Sequence, residues 1–331
     1  MNGQGPPLLE VRGLTTEFVS ETGGVRRVVR AADGVDFEIE RGEVLALAGE
    51  SGSGKSATAL SLVGLLPPPG RVVSGRILFE GRELRALNDS GMRRVRGARI
   101  GVVFQEPMTA LNPVFTVGGQ IAEALEVHGV ARGAAARVRA VELLDAVRIP
   151  DPARRAADYP HQLSGGMRQR ALIAAAIACR PPLLIADEPT TALDATIQAD
   201  ILDLLDTMRR ESGLAVLLIT HDLGVVARMA DRAAVMYAGR IVESGPAREV
   251  LASPAHPYTR GLLASVPGHE PGMRLAAIPG SVPDLAALPP GCAFAPRCPD
   301  RFEACDRARP EASGVSPGHA ARCHLYGEAP R

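Results

Sequence analysis

Lysine is missing from this chain at every position but one: of its 37 basic residues, 36 (37 − 1) are arginines and the single ammonium is Lys55. A planar guanidinium fork and a compact ammonium do different work, so a chain that uses arginine everywhere else keeps lysine where a point charge is wanted. Net charge is missing too, because 37 acidic residues cancel the basic ones. No overall field draws the molecule to nucleic acid, and nucleic acid is not an expected partner. Long apolar runs are absent: residues 171–179 and 214–219 are among the longest, far short of the ~20 needed to cross a bilayer. The opening Met1-Asn2-Gly3-Gln4-Gly5-Pro6-Pro7 has neither the basic start nor the apolar stretch of an export signal. A soluble, cytoplasmic chain is expected, one that reaches any membrane through a partner. Five cysteines in a reducing compartment make no disulfide framework, and no internal repeat is visible. At 331 residues with 46% hydrophobic side chains, the chain can bury a large core, and one big domain with an appendage is expected.

What is present is organised around Gly49-Glu50-Ser51-Gly52-Ser53-Gly54-Lys55-Ser56, which fits the phosphate-loop pattern G-x-x-x-x-G-K-[ST] without a mismatch. Residues 43–48 before it read as a buried strand and residues 56–66 after it as a helix, the context the motif needs. Glycines let such a loop fold tightly enough to aim several N–H groups at phosphate oxygens, and the following helix adds its positive end. Lys55 would then reach the β- and γ-phosphates and the Ser56 hydroxyl a Mg²⁺ ion.

Residues 8–18 read as a first strand, with Gly23-Gly24 turning the chain into residues 25–40. Phe18 is either a platform for an adenine ring or a half-buried strand aromatic. A β-rich piece at 75–84 follows Pro67-Pro68-Pro69, and 99–104 reads as a strand ending at Gln105. From 112 to 159 the periodicity is helical, with breaks at Gly129, Gly133 and Pro150, which predicts a helical subdomain inserted at about 112–165. The polar pair in Leu163-Ser164-Gly165-Gly166-Met167-Arg168-Gln169-Arg170 opens a helix over 167–179, and Ser164, Gly165 and Gly166 there form either a second phosphate site or a simple N-cap. Residues 183–188 read as an apolar strand ending in Asp187 and Glu188. Behind a phosphate loop, Asp187 fits beside the Mg²⁺ and Glu188 as acceptor of a proton from an attacking water, rather than as a solvated turn. A helix over 195–210 and a strand over 214–220 lead to His221, at the strand end where α/β sheets bind ligand.

In order and spacing, the phosphate loop, Gln105, the 163–169 segment, the apolar run into Asp187-Glu188, Asp194 and His221 resemble the ATP-binding subunit of an ABC transporter, over about residues 8–250. The resemblance implies an α/β P-loop NTPase cassette with an antiparallel β subdomain, the inserted helical subdomain and a small Cys-rich C-terminal extension, divided as 8–255 and 256–331. It implies that Phe18 stacks on adenine, although many relatives have Tyr there. Ser56, Gln105 and Asp187 would hold Mg²⁺, and Gln105 would sense the γ-phosphate. Ser164, Gly165 and Gly166 would grip the γ-phosphate of ATP on the other subunit. His221 would hold the γ-phosphate and the attacking water, and Asp194 would work across the dimer interface. Phe104-Gln105-Glu106-Pro107-Met108-Thr109-Ala110-Leu111-Asn112-Pro113 and Ser253-Pro254-Ala255-His256-Pro257-Tyr258-Thr259-Arg260 are similar to the bacterial oligopeptide/dipeptide importer ATPases of the peptide/nickel group. That implies import of di- or oligopeptides, or of another solute of that group. The implied partners are a second homologous ATPase, two transmembrane permease subunits and, indirectly, an extracellular peptide-binding protein, all at the cytoplasmic face of the inner membrane. DNA-repair and translation ATPases carry long coiled coils or tandem cassettes, and this chain shows neither. A binding-only regulatory cassette is disfavoured by the presence of Glu188 and His221.

Cys292, Cys298, Cys305 and Cys323 gather four of the five cysteines into residues 292–331, whereas Cys179 lies in an apolar helix as a small core residue. Four thiols in a proline-rich segment with little apolar content would gain a reason to fold from a metal centre. No tight C-x₂₋₄-C pair exists, so the spacing leans toward an iron–sulfur cluster on four thiolates; His319 and His324 keep zinc open, and four free thiols are the bland alternative. Resemblance to cysteine-tailed peptide-importer ATPases implies a [4Fe–4S] cluster. The cluster is expected to be structural, holding the tail for docking on the partner ATPase, because it lies beyond every residue that touches ATP.

Overall fold

The structure, a computed structural model, describes residues 5–191, 193–266 and 278–327. Residues 1–4 of the opening stretch and Ala192 lie outside the described residues. The chain divides into two units, one of Met1–Ile39, Glu43–Arg85 and Ile219–Arg331, the other of Glu40–Gly42 and Ala86–Leu218.

The first unit opens with β1 (Leu9–Thr22) and β2 (Val25–Ile39). The turn between them sets Gly23 and Gly24 at φ 60° and 79°, the positive values a two-residue hairpin of matching twist requires. The apolar run before the phosphate loop becomes β3 (Val44–Ala48), buried at every residue, as a strand covered on both faces must be. Helix α1 (Lys55–Leu62) is shorter than the 56–66 expected, because Gly64 turns left-handed at φ 61° and three prolines follow. Strands β4 (Gly70–Phe79) and β5 (Arg82–Glu83) complete an antiparallel sheet in the order β2-β1-β4-β5. β4 starts five residues before the expected 75, since Gly70 continues the ladder opposite Phe18.

The second unit carries α2 (Asp89–Val95), β6 (Ile100–Val103), α3 (Pro107–Ala110), α4 (Val117–Val127), α5 (Gly133–Ala146), α6 (Pro152–Arg155), α7 (Gly165–Ile177), β7 (Leu183–Asp187), α8 (Ala195–Ser212) and most of β8 (Ala215–Thr220). The expected helical insertion is α4 to α6, with α4 and α5 packed on α7. Its strands run in the order β8-β7-β6, with Ile100 of β6 parallel and opposite to Leu183 of β7. β7 and β8 are buried throughout. α8 is closed at its ends by the Asp194 carboxylate and by Gly213 at φ 67°, and it buries Ile201, Leu202, Leu204 and Leu205 on one stripe.

The chain then returns to the first unit with α9 (Leu223–Met229), β9 (Arg232–Tyr237), β10 (Arg240–Pro246), α10 (Ala247–Ala252), α11 (Pro257–Ala264), α12 (Glu303–Arg307), β11 (Ser313–Ser316) and β12 (His319–Ala321). Strands there run β11-β12-β10-β9-β3, parallel only between β9 and β3. The tail therefore has reasons to fold besides the metal centre expected for it. It extends the ladder, with Ala321 opposite Glu243, and Phe294 is fully buried against Tyr237 and Tyr258 at ring separations of 5.2 and 5.4 Å. Among the described residues no helix is long and apolar enough to cross a membrane.

Candidate nucleotide site

In the first unit the phosphate loop is built on backbone carbonyls. A Cβ at Gly54 would lie 1.9 Å from the Ala31 oxygen, and one at Gly49 would lie 2.2 Å from the Met236 oxygen. Both glycines also take positive φ, 106° and 148°, so no side chain fits either place. The tip of the β9–β10 hairpin holds the loop from behind: Gly239 N–H donates to the Ser53 carbonyl at 2.9 Å, and Asp33 N–H donates to the Gly239 carbonyl at 2.8 Å. Ser53 is buried, whereas Ser51 and Gly52 are exposed at the rim.

Lys55 is only 4% exposed, and its Nζ donates to the carbonyls of Gly49 at 2.7 Å and Glu50 at 2.9 Å. A compact ammonium can satisfy these two acceptors from one buried point, where a forked guanidinium would not fit. Ser56 is half-buried in the first turn of α1. His221 is exposed just past β8, before the Asp222 carboxylate that caps α9 by accepting from Gly224 N at 2.7 Å. Phe18 is half-buried in β1, and its ring lies against Gly70, where a Cβ would approach it to 2.6 Å.

In the second unit Asp187 ends β7 nearly buried, at 8% exposure. Glu188 leaves the strand at φ 47°, a left-handed conformation unusual for a side chain of this size. Its Oε2 accepts from Thr191 Oγ1 at 2.7 Å and from Gln105 Nε2 at 3.3 Å. The structure thus brings Gln105 and Glu188 together. Thr191 is a partner the sequence reading passed over, although Pro189-Thr190-Thr191 directly after the acidic pair was a place to look for one.

Ser164 caps α7, its Oγ accepting from Met167 N at 3.3 Å. The two glycines that follow differ. A Cβ at Gly166 would lie 2.7 Å from Ile197 Cγ2, whereas at Gly165 the nearest atom is Leu193 Cδ2 at 3.7 Å. Packing explains Gly166; nothing among the described residues demands Gly165. Asp194 is exposed and accepts from Ile197 N at 2.9 Å as the cap of α8.

The tail reaches the phosphate loop. Arg297, in a single 3₁₀ turn (Ala295–Arg297), forms a two-point ion pair with Glu50, and the Tyr258 hydroxyl accepts from Glu50 N at 2.8 Å. Hydrogen bonding to Glu50 is the largest influence on the Arg297 guanidinium and raises its pKa. Beside this turn, Cys292, Cys298, Cys305 and Cys323 all line one small cavity of about 10 Å³. Burial pushes the Cys292 thiol up to about 11 and raises those of Cys298 and Cys323. Cys179 is half-buried, with Sγ 3.7 Å from the Ala124 carbonyl.

Comparison with known proteins agrees with this geometry. The ABC transporter family profile matches residues 32–191, and that of the oligopeptide/dipeptide transporter C-terminal region matches residues 242–305. A Brucella melitensis protein named for peptide import and ATP binding is 53% identical over 97% of this chain and 98% of its own length. The dipeptide transport ATP-binding protein DppD of Bacillus subtilis is 51% identical over 96% of this chain and 94% of its own. Among solved structures, the dimeric post-hydrolysis state of the ATP-binding cassette MJ0796 bound to ADP and Pi is similar at a TM-score of 0.64 and 30% identity, covering 72% of this chain and 99% of that one.

Proposed function

The chain belongs to the ABC transporter ATP-binding proteins, in their oligopeptide/dipeptide branch, and on that premise we propose that it is the ATP-hydrolysing subunit of an importer of di- and oligopeptides. It is an α/β P-loop ATPase cassette. The ATPase part takes in 8–255 and the extension 256–331. The observation that carries the reading is the Glu188 carboxylate, held by both Gln105 and Thr191 at the end of a buried strand. A general base must be oriented as well as present, and these two bonds orient it. They also count against a cassette that only binds nucleotide.

In this reading Phe18 stacks on adenine and the loop of Gly49, Ser51, Gly52, Ser53 and Gly54 wraps the phosphates. Lys55 neutralises the β- and γ-oxygens, while Ser56, Gln105 and Asp187 hold Mg²⁺, which supplies charge neutralisation when bound. Glu188 takes the proton of the attacking water and His221 fixes the γ-phosphate. Ser164, Gly165 and Gly166 serve the ATP of the facing cassette, which gives the side-chain-free position Gly165 a purpose. That cassette is a second homologous ATPase, and Asp194 meets it. Exposed Val114 and Phe115, between α3 and α4, face two permease subunits at the cytoplasmic side of the membrane, and an extracellular binding protein delivers the peptide.

The four thiols at this cavity, Cys292, Cys298, Cys305 and Cys323, would hold the iron–sulfur cluster that the resemblance implies, although among the described residues no three His, Cys, Asp or Glu side chains are grouped to hold a metal ion. A cluster takes its four thiolates at separate corners and supplies the positive charge that buried thiols need to ionise. Anaerobically purified protein should be brown and lose its absorption on Cys298→Ser; a colourless, iron-free protein with a folded tail would refute the cluster. The transport reading is tested by co-purifying the chain from membranes with its partners and reconstituting the complex in vesicles. Peptide uptake driven by ATP, abolished by Lys55→Ala, is expected; ATP hydrolysis with no uptake of any di- or oligopeptide would overturn it.

A further inference from the structure

Glu50 is the first variable position of the phosphate loop, and the loop pattern asks for no carboxylate there. Its Oε2 and Oε1 accept from Arg297 Nη1 and Nη2 at 2.8 and 3.0 Å, a forked pair that fixes orientation as well as distance. Arg297 has little freedom to do anything else. Its side chain is 5% exposed, its Nε donates to the Pro279 carbonyl at 2.9 Å, and Nη1 reaches the Tyr237 hydroxyl at 3.4 Å. The guanidinium carbon also lies 5.8 Å from the Tyr237 ring centre and 5.9 Å from that of Phe294.

Glu50 is fixed on its backbone side as well. Its N–H donates to the Tyr258 hydroxyl at 2.8 Å, and its carbonyl accepts from Lys55 Nζ at 2.9 Å and Ser53 N at 3.2 Å. A continuous set of contacts therefore runs from the tail through Arg297 and Glu50 to the lysine that meets the phosphates. Neither Arg297 nor Tyr258 falls within residues 32–191, where the ATP-binding cassette profile matches.

We propose that Arg297 is a positioning residue of the ATP site: reaching from the C-terminal tail, it clamps Glu50 so that the phosphate loop and Lys55 are already arranged when nucleotide arrives. The proposal rests on the reading of the loop as an ATP site. A loop ordered beforehand loses less entropy on binding, so the clamp acts on affinity rather than on the chemical step. The tail is then a working part of the nucleotide site, not an appended docking module.

The test is equilibrium binding and turnover of MgATP by the full chain with its partners, comparing wild type, Arg297→Ala, Arg297→Lys, Glu50→Gln and the double variant Arg297→Ala/Glu50→Gln. We expect Arg297→Ala to raise Kd and KM about tenfold with kcat within about twofold, the signature of lost binding shared by ground and transition states. Arg297→Lys, which keeps the charge without the fork, should fall between. Because the two residues act as one unit, the double variant should be no worse than the worse single. Thermal melting without nucleotide separates a merely structural contact, which would lower Tm and leave Kd unchanged; that result, or additive effects, overturns the clamp. Should Arg297→Ala fail to fold, Arg297→Lys and Glu50→Gln decide the matter by the same shift in Kd. A wild-type complex that binds no MgATP would instead overturn the ATP-site reading itself.

Discussion

Glu188 holds a backbone conformation that a long side chain adopts only under constraint, and the Thr191 hydroxyl is what turns that strain into a fixed carboxylate. Thr191→Val should therefore lower kcat up to about tenfold with KM little changed, a smaller loss than removal of the base itself, read by steady-state phosphate release. A second residue-scale prediction concerns His256, which is fully buried and accepts from Tyr258 N through Nδ1, so it is neutral in the fold. Burial, helped by the Arg260 charge, pushes its pKa down from 6.5 to about 3, while a backbone hydrogen bond at Arg322 acts the other way. With the folded value below the unfolded one, the unfolded chain binds the extra proton. The stabilisation is complete above about pH 6.5 and lost progressively as pH falls toward 3. Chemical-denaturation midpoints across that window should fall with pH in wild type and fall less in His256→Gln. At this scale the loop residues and the acidic pair were legible, because each belongs to a fixed spacing. Thr191 was less so, since a hydroxyl three residues past a carboxylate has no fixed motif, and only its place just after the acidic pair marked it.

At the scale of elements, the two glycines of α7 make opposite predictions. Gly166→Ala would drive a methyl into the β-branched Ile197, which is stiff at χ1, and should cost about 1–3 kcal/mol in a denaturation experiment. Gly165→Ala has room and should leave stability unchanged while lowering ATP turnover of the paired cassettes; equal loss of stability in both would remove the reason for assigning Gly165 to the facing ATP. Between α3 and α4, Phe115 is 56% exposed and Val114 70%. Phe115→Asp should uncouple transport from hydrolysis, halting peptide uptake in vesicles while the detergent-free ATPase stays near wild type. Strands β3, β7 and β8 were readable because both faces are buried and each runs apolar through all but at most its last residue. Helix and strand ends were less so. α1 stops where Gly64 goes left-handed, and β4 starts early because the ladder to β1 runs on to the Gly70–Phe18 pair.

Across the whole molecule, the least legible feature was the reach of the tail. Arg297 meets Glu50 across 247 residues of sequence, and no local period or motif encodes such a contact. Its effect is to bring a segment that lies beyond every nucleotide motif in the sequence onto the loop that all the other motifs serve. As proposed, this is a working ATPase whose Glu188 completes hydrolysis in a pair of cassettes. Its most direct test is Glu188→Gln in the complex, with MgATP binding, phosphate release and association state followed on one sample. The amide keeps the shape and cannot accept the proton, so ATP should bind with wild-type affinity, turnover should fall about 10²–10⁴-fold, and a closed ATP-bound pair of cassettes should accumulate. Turnover above about a tenth of wild type, or loss of ATP binding with no trapped pair, would contradict the account.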